Sequence, residues 1–323
     1  MNIARRDRIG LLSPSASVVG VCPNRYLRAK RELDRCRFEV MDTPQAHLIS
    51  GFTAGTGKQR ATALHDLIDL HGAKMIVATI GGYNSSDMLP YIDFGRIPKD
   101  LIVMGYSDAS VLLHALHAKS EARCLHGPMV LPQFGEFGGV DKFTYTSLVT
   151  VLDKLGTGYQ YSLPKADSWT DEYLEWDHED SRKRTYQKNE GWWSITPGKA
   201  DGTLLPSNLN TLPMLTGTPY LATFMDPILF LEDVETETPP MIKRSLQHIA
   251  AVYGDSVRGL VFGRFSSRSA MTKTVLEDIV REVFPSVPAM ANVDFGHTDP
   301  VLTLPLGAKV AIDSEKEEIV VKL

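Results

Sequence analysis

The chain has 323 residues, of which 34 are basic and 39 acidic, so its formal net charge is −5. Hydrophobic residues make up 43% and charged residues 23%, which is ordinary for globular proteins and excludes a disordered, collagen-like or coiled-coil chain. The length suggests roughly two domains. Without a Lys/Arg tract, the sequence argues against nucleic acid and against acidic membrane lipids as partners.

Short apolar runs alternate with helical patterns through the first half of the chain. Predicted strands and helices are at residues 9–12 (strand), 26–36 (helix), 38–41 (strand), 58–71 (helix), 75–80 (strand), 86–89 (start of a helix), 101–105 (strand), 109–118 (helix) and 123–126 (strand). This alternation predicts a parallel α/β sheet with helices on both faces. Ligands bind beyond the carboxyl ends of such strands, where Gly81-Gly82 and the turn at 105–108 fall.

Residues 165–199 differ in composition from the rest of the chain. They are rich in charged and aromatic residues and poor in aliphatic ones, and all four tryptophans fall within residues 169–193. Such a segment cannot form a core of its own. A solvated linker is one interpretation, but aromatic-rich loops more often cover a site or an interface, so we favour a functional loop.

The second half begins near residue 200 and predicts a smaller mixed α/β domain. Its predicted elements are strands at 228–232, 259–263 and 289–293, helices at 243–253 and 273–284, and a terminal β meander at 301–304, 309–312 and 318–322. We therefore divide the chain into an N-terminal α/β domain (residues 1–165), a tryptophan-rich charged loop (166–199) and a C-terminal domain (200–323).

The cysteines and the N-terminal segment bear on the cellular compartment. Cys22, Cys36 and Cys124 are odd in number and widely spaced, which fits neither a disulfide framework nor a zinc site. The first residues lack the apolar core and cleavage site of a signal peptide. No stretch offers the ~18 uninterrupted apolar residues of a membrane span. We expect a soluble cytoplasmic protein that does not bind membranes.

The segment Gly105-Tyr106-Ser107-Asp108 joins an apolar strand to a helix. This junction projects the serine hydroxyl from a tight turn and directs the first N–H groups of the helix to the same point, as a nucleophile and its oxyanion hole require. The alternative is a helix cap, because Ser and Asp both cap helices well. The tetrapeptide alone favours the cap, since it lacks the second glycine of the common nucleophile turn.

A serine nucleophile needs a base and a group that orients the base. Among the nine histidines, His297 is the best candidate base, because it lies in a glycine-bearing loop after a strand, and His126 is second. The orienting carboxylate should follow a buried strand, and both Glu232 and Asp233 do so. The spacing does not choose between them, and a turn or helix cap is the alternative role for either.

Six segments in order resemble the LD-carboxypeptidase family of serine peptidases: TIGGYNSSDMLPYIDF, MGYSDASVLLHAL, LHGPM, NLNTLPMLTGT, FLEDVE and FGHTDPVLTLPLG. The resemblance covers nearly the whole chain, and six ordered motifs are far more specific than one. GGYNS, the segment ending NEGWW and FLEDVE are more similar to the microcin C immunity branch than to the branch that cleaves murein tetrapeptides. The resemblance implies a flavodoxin-like N-terminal domain, a smaller C-terminal domain, a homodimer and a site between the domains.

The resemblance also implies a Ser–Glu–His triad of Ser107, Glu232 and His297, and so prefers Glu232 to its neighbour. The backbone amide of Asp108 and the Gly81-Gly82 turn would form the oxyanion hole. The implied activity is that of a serine carboxypeptidase or amidase, which forms an acyl-enzyme and needs no metal or organic cofactor.

The immunity branch cleaves the amide beside an aspartyl group that carries a nucleotide-like moiety. The expected partner is therefore a small peptide or peptidyl-nucleotide. Tryptophans of the loop could stack on a purine and its basic residues could meet a phosphate or carboxylate, although a domain or dimer contact explains the cluster equally well. The substrate contacts that follow from the resemblance are Tyr83, Asn84, Trp176, Trp192, Arg184 and Asn208.

One departure from the branch is Pro206-Ser207. These residues stand where two glycines commonly precede the NL-TL motif, and they put the shape of the pocket in question.

Two other functions stay open. One is an LD-carboxypeptidase of murein tetrapeptides in cell-wall recycling. The other is a non-catalytic protein that sequesters a ligand on the same fold, against which the intact set of triad candidates argues.

Overall fold

The computed structural model describes residues 7–323, and the first half of that range forms a sheet flanked by helices. The elements are β1 (Arg8–Leu12), α1 (Val18–Val21), α2 (Pro23–Arg35), β2 (Glu39–Asp42), α3 (Gly57–Asp69), β3 (Met75–Ala78), β4 (Ile102–Gly105), α4 (Ser110–Lys119), β5 (Arg123–His126) and α5 (Lys142–Lys154). The predicted strands and helices are present within a few residues of their expected bounds, except that a 3-10 helix at Ser85–Tyr91 replaces the helix expected from 86.

The remaining elements, from residue 160 onward, are mostly strands. They are β6 (Gln160–Ser162), β7 (Ser168–Trp169), β8 (Gln187–Lys188), β9 (Trp193–Thr196), β10 (Lys199–Asn208), α6 (Thr211–Met214), β11 (Pro227–Glu232), α7 (Pro239–Tyr253), β12 (Gly259–Gly263), α8 (Lys273–Val283), β13 (Ala289–Val293), β14 (Leu304–Pro305), β15 (Lys309–Asp313) and β16 (Glu318–Lys322). Short 3-10 segments lie at Pro44–His47, Phe94–Arg96, Ser107–Ala109, Gly254–Ser256 and Ser267–Ser269, and a π-helical turn at Val130–Phe134.

The first sheet has the strand order of flavodoxin-like folds. Its five parallel strands run β2-β1-β3-β4-β5, and β14 is added antiparallel beside β5. The order changes direction between β1 and β3, and ligands bind at the carboxyl ends of the strands beside such a point. The expected flavodoxin-like domain is confirmed.

The second sheet has eight strands in the order β6-β16-β15-β10-β11-β12-β13-β9. Four central strands, β10 to β13, are parallel, and the outer strands pair antiparallel. The two halves exchange short strands, because β6 from the first half joins this sheet while β14 from the second half joins the first. The expectation of a mixed α/β second half is confirmed.

Burial explains why the strands hold together. Every residue of β3 and of β4 is buried, as parallel strands covered by helices on both faces require. Helix α4 is buried from Ser110 to Leu116, and its leucines belong to one apolar cluster with Leu205 of β10 and Leu229 of β11. The two halves therefore share a core, which fixes their relative position. None of the helices within residues 7–323 combines the length and apolar content needed to cross a membrane.

Some elements differ from the sequence predictions. The meander was wrong at residues 301–304, because Leu304 pairs with His126 of β5 and only β15 and β16 form a terminal hairpin. Strand β10 was missed because Gly202 and Pro206 interrupt its apolar pattern. Helix α5 was missed as well, since its Thr and Val residues are common in strands.

Candidate active site

Ser107 stands at a sharp turn between β4 and α4. Its backbone has a φ of +58°, in the left-handed region that residues other than glycine seldom adopt outside strained turns. A glycine is required at position 105, because a Cβ there would lie 2.9 Å from the Cβ atoms of both Ala78 and Ala109. The helix-cap alternative does not describe this serine, since its hydroxyl faces His297.

Three side chains from separate parts of the chain meet at this turn. Nε2 of His297 lies 3.1 Å from Oγ of Ser107, and Nδ1 lies 2.5 Å from Oε2 of Glu232. Glu232 ends β11, and His297 follows β13 on a loop. Gly296, with a φ of +98°, lets that loop pass the carboxylate, because a Cβ there would be 2.6 Å from Cβ of Glu232. The structure thus brings together the three residues singled out in the sequence as nucleophile, base and orienting group.

Glu232 and His297 each stabilise the charged form of the other. Glu232 is 1% exposed, and burial alone would raise its pKa, but the imidazoles of His297 and His126 outweigh burial and hold the pKa below its ordinary value. Burial alone would lower the pKa of His297, but the Glu232 carboxylate raises it above its ordinary value. The geometry therefore favours an ionised carboxylate that stabilises a protonated imidazole.

Asp233, the other carboxylate left open by the sequence, forms no hydrogen bond or ion pair with His297 in the described chain. Its Oδ1 accepts hydrogen bonds from the side-chain amide of Asn210 at 3.0 Å and from the Val234 N–H at 2.9 Å. Burial raises the pKa of Asp233 to about 8, and the neighbouring charge of Glu232 adds to that rise. This carboxyl is therefore largely protonated at neutral pH.

Two backbone segments approach the Ser107 hydroxyl. A Cβ on Gly81 would lie 2.9 Å from Oγ of Ser107 and 3.2 Å from the backbone nitrogen of Asp108. The Asp108 side chain accepts hydrogen bonds from both the N–H and the hydroxyl of Ser85, so it is turned into the protein. The adjacent Gly82 has a φ of +143°, which favours glycine.

A cavity of about 380 Å³ opens above the serine and the histidine. The tryptophan-rich loop (residues 166–199) supplies much of one wall, through Asp171, Glu172, Tyr173, Leu174, Trp176, Asp180 and Arg184. The other walls come from both sheets, because Gly81 to Tyr83 follow β3 and Asn208 ends β10. The segment that the sequence marked as a covering loop therefore lines this cavity.

The loop is tied to both halves of the protein. Asp177 accepts hydrogen bonds from the backbone N–H groups of Asn24 and Arg25, at the start of α2. Asp171 accepts hydrogen bonds from the hydroxyls of Ser266 and Ser267 in the second half. These contacts hold the loop across the opening between the two halves.

Within residues 7–323, three arginines line the cavity. Arg25 and Arg184 each form ion pairs with two carboxylates, one of which is Glu136 in both cases. The Arg25 guanidinium also lies over the Trp176 ring, 4.3 Å from its centroid. Arg268 is exposed and has no carboxylate partner within residues 7–323, so its charge is free to meet an anionic ligand.

The predicted substrate contacts are divided by the structure. Tyr83, Trp176, Arg184 and Asn208 line the cavity. The other two do not: Trp192 is 2% exposed and its indole N–H donates to Asp294, and Asn84 is held through its backbone by Ser15 and Arg60.

The departure at Pro206-Ser207 lies outside the cavity lining. Both residues are buried in β10, where they pair with Phe230 and Leu231 of β11. The strand continues to Asn208, whose Oδ1 accepts hydrogen bonds from the N–H groups of Asn210 and Thr211.

The lining residues that the sequence analysis missed include Arg25, Tyr173 and Arg268. Only Tyr173, within the aromatic-rich loop, carried a sequence signal.

Comparison with known proteins agrees with these observations. The chain matches the model of the LD-carboxypeptidase N-terminal domain over residues 9–127 and that of the LD-carboxypeptidase C-terminal domain over residues 201–312. A putative carboxypeptidase of Vibrio cholerae is 33% identical, with 95% of this chain and 92% of that protein covered. The microcin C7 self-immunity protein MccF of Escherichia coli is 32% identical, with 98% and 93% covered. A structure of MccF in complex with aspartyl sulfamoyl adenosine superposes with a TM-score of 0.89 at 29% identity, covering 100% of this chain and 97% of that one.

Proposed function

This chain belongs to the LD-carboxypeptidase family of peptidases, and on that premise we propose that it is a serine hydrolase with Ser107, His297 and Glu232 as its catalytic triad. The observation that carries the proposal is the continuous contact from Ser107 Oγ through the imidazole to a buried carboxylate, at 3.1 and 2.5 Å. Such an arrangement activates a hydroxyl that is otherwise a weak nucleophile.

The proposed reaction begins when Oγ of Ser107 attacks an amide carbonyl and its proton passes to Nε2 of His297. Glu232 stabilises the imidazolium and keeps the neutral ring in the required tautomer. We assign the oxyanion hole to the backbone N–H of Asp108 and the Gly81-Gly82 turn, because the Gly81 backbone closely approaches both Oγ of Ser107 and the Asp108 nitrogen. Each hydrogen-bond donor of this kind contributes ~3 kcal/mol. The imidazolium then protonates the leaving amine. Water, activated by the same histidine, releases the acyl group.

For the substrate, we propose an amide that joins an aminoacyl or peptidyl group to a nucleotide-like moiety. Trp176 lines the cavity and is backed by Arg25, so its ring can stack on a nucleobase. Arg268 offers a free cation to a phosphate or carboxylate. MccF, which is similar over the whole chain, binds aspartyl sulfamoyl adenosine. That ligand carries both an aminoacyl group and a nucleoside.

The test incubates the protein with aspartyl sulfamoyl adenosine and, in a parallel reaction, with a murein L,D-tetrapeptide. Chromatography then measures the hydrolysis of each compound. We expect the wild type to cleave the nucleoside compound and Ser107→Ala to have no measurable turnover. Ser110→Ala is the matched control, because Ser110 lies one helical turn away and its buried hydroxyl has no hydrogen-bond partner in the described chain. Preference for the tetrapeptide would assign murein recycling instead. Turnover that survives Ser107→Ala would overturn the triad, and a wild type that binds without turnover would indicate a sequestering protein.

We further propose that the protein acts as a homodimer in the cytoplasm. The dimer rests on the family resemblance. The compartment rests on the cysteines Cys22, Cys36 and Cys124, all of which are free thiols, as a reducing environment favours. Light scattering of the purified protein and fractionation of the cells that express it test the two statements separately.

A further inference from the structure

The triad carboxylate has one oxygen that the triad does not use. Oε2 of Glu232 contacts His297, whereas Oε1 is buried and has no hydrogen-bond partner in the described chain. The group that faces Oε1 is the imidazole of His126, whose Nε2 lies 3.7 Å away. A buried carboxylate oxygen without a donor is unfavourable, so this position calls for an N–H group.

His126 lacks partners in the same way. Its side chain is 1% exposed, and neither ring nitrogen has a hydrogen-bond partner in the described chain. The ring is held between Tyr106, at 5.8 Å between centroids, and Phe295, at 5.9 Å. The backbone is held as well, because His126 pairs with Gly105 of β4 and Leu304 of β14. The imidazole is thus fixed on several sides and directed at the carboxylate.

Resting on the proposed triad, we infer that His126 is a positioning residue that donates a hydrogen bond from Nε2 to Oε1 of Glu232. A closure of under about 1 Å brings the two atoms within hydrogen-bond distance, and hydrogen bonds of active sites commonly tighten when substrate binds. The carboxylate is then held at both oxygens, by His297 on one side and His126 on the other. With its plane fixed in this way, Oε2 stays aligned with Nδ1 through the reaction.

A purely structural role for His126 makes a different prediction. If the ring only fills space, a side chain of similar volume replaces it and the loss of an N–H group does not matter. If the ring acts through Glu232, a replacement that retains an N–H donor at the end of the side chain preserves function, and removal of Glu232 cancels the effect of changing His126.

The experiment measures the rate at which an alkyl fluorophosphonate labels Ser107. In this reaction an Oγ–P bond forms, fluoride leaves and the serine proton passes to His297, so no knowledge of the natural substrate is needed. We expect His126→Met to slow labelling about 10-fold or more, because a hydrogen bond to a charged group is lost. We expect His126→Gln, which keeps an N–H donor, to label close to the wild-type rate. In a Glu232→Gln background, His126→Met should have no further effect.

Three results would overturn the inference: wild-type labelling by His126→Met, equal slowing by His126→Gln and His126→Met, or the same slowing by His126→Met with and without Glu232→Gln. The recovery in His126→Gln also separates lost alignment from a misfolded protein, and thermal unfolding of each variant checks this directly. A failure of the proposed triad looks different, because labelling would then be absent from the wild type or unchanged in Ser107→Ala.

Discussion

Ser107 and His297 are separated by 190 residues in the chain, yet Oγ of one lies 3.1 Å from Nε2 of the other. The first residue belongs to the flavodoxin-like sheet and the second to a loop of the other sheet. Their contact depends on the shared core between the halves, in which the leucines of α4 belong to one apolar cluster with residues of β10 and β11. The reactive geometry is therefore a property of the whole chain and not of either half.

Replacing a carboxylate with the matching amide should have different effects at the adjacent residues Glu232 and Asp233. Glu232→Gln removes the charge beside Nδ1 of His297 and permits the wrong tautomer, so we expect kcat to fall by roughly 10³- to 10⁴-fold. Asp233→Asn is the control, since this carboxyl is largely protonated and Asn keeps the oxygen that accepts from Asn210. Steady-state kinetics of both variants, with circular dichroism to confirm folding, distinguishes them. An equal loss in Asp233→Asn would contradict the assignment of Glu232.

The acidic side of the pH profile should lie above the ordinary range of histidine. His297 must be neutral to accept the serine proton, and its pKa is raised by Glu232, so activity is lost as pH falls through that raised value. We expect the midpoint of the acidic limb of kcat/KM above 6.5, the ordinary pKa of the imidazole. In Glu232→Gln the midpoint of the residual activity should move down. A wild-type midpoint below 6.5 would be inconsistent with the ion pair.

A methyl group at position 81 should block catalysis without disturbing the fold elsewhere. In Gly81→Ala the new Cβ would lie 2.9 Å from Oγ of Ser107, which is closer than real contacts allow. We expect kcat to fall by at least about 100-fold, the effect of losing one oxyanion donor. Gly95→Ala is the control, because its Cβ meets only the Asp93 side chain at 3.3 Å. Full activity of Gly81→Ala in a kinetic assay would exclude this turn from the oxyanion hole.

Two tryptophans of the same loop should have separable roles. Trp176→Ala removes a cavity wall, and we expect KM for a nucleotide-bearing substrate to rise about 10-fold, since base stacking contributes ~1–3 kcal/mol. Trp192→Phe instead removes the hydrogen bond to Asp294 in the core, so we expect a lower Tm with KM unchanged. Kinetics and thermal unfolding of both variants test the pair. A KM effect in Trp192→Phe alone would reverse the assignment.

The sequence predicted the first sheet better than the second. Strands β1 to β5 are apolar runs separated by helical patterns, so their existence and parallel order follow from local signals. For β14 the apolar run at 301–304 predicted a strand that includes Leu304, but it gave no sign of the partner strand. Only two residues long, β14 is defined by its pairing with β5, a contact nearly two hundred residues away in the chain.

Local reasoning also reached the site only in part. The tetrapeptide around Ser107 favoured a cap, and the strand end left Glu232 and Asp233 open, because both ambiguities concern side-chain direction. The motif resemblance chose among them. Trp192 was predicted to contact the substrate together with Trp176, because both lie in the aromatic-rich loop. In the folded chain, however, Trp192 is buried in the core. Arg25 and Arg268 enter the cavity only through tertiary packing, so no local pattern marked them.

The strand exchange between the halves has a consequence for how the enzyme is made. Because β14 covers the outer edge of β5, this edge of the sheet that carries Ser107 stays open until residue 305 has been synthesised. A nascent or truncated chain that ends before residue 304 exposes that edge, even when it already contains His297. The strand that covers this edge and the histidine that meets Ser107 therefore come from one short stretch of the chain, residues 297–305, and a chain that ends before this stretch lacks both.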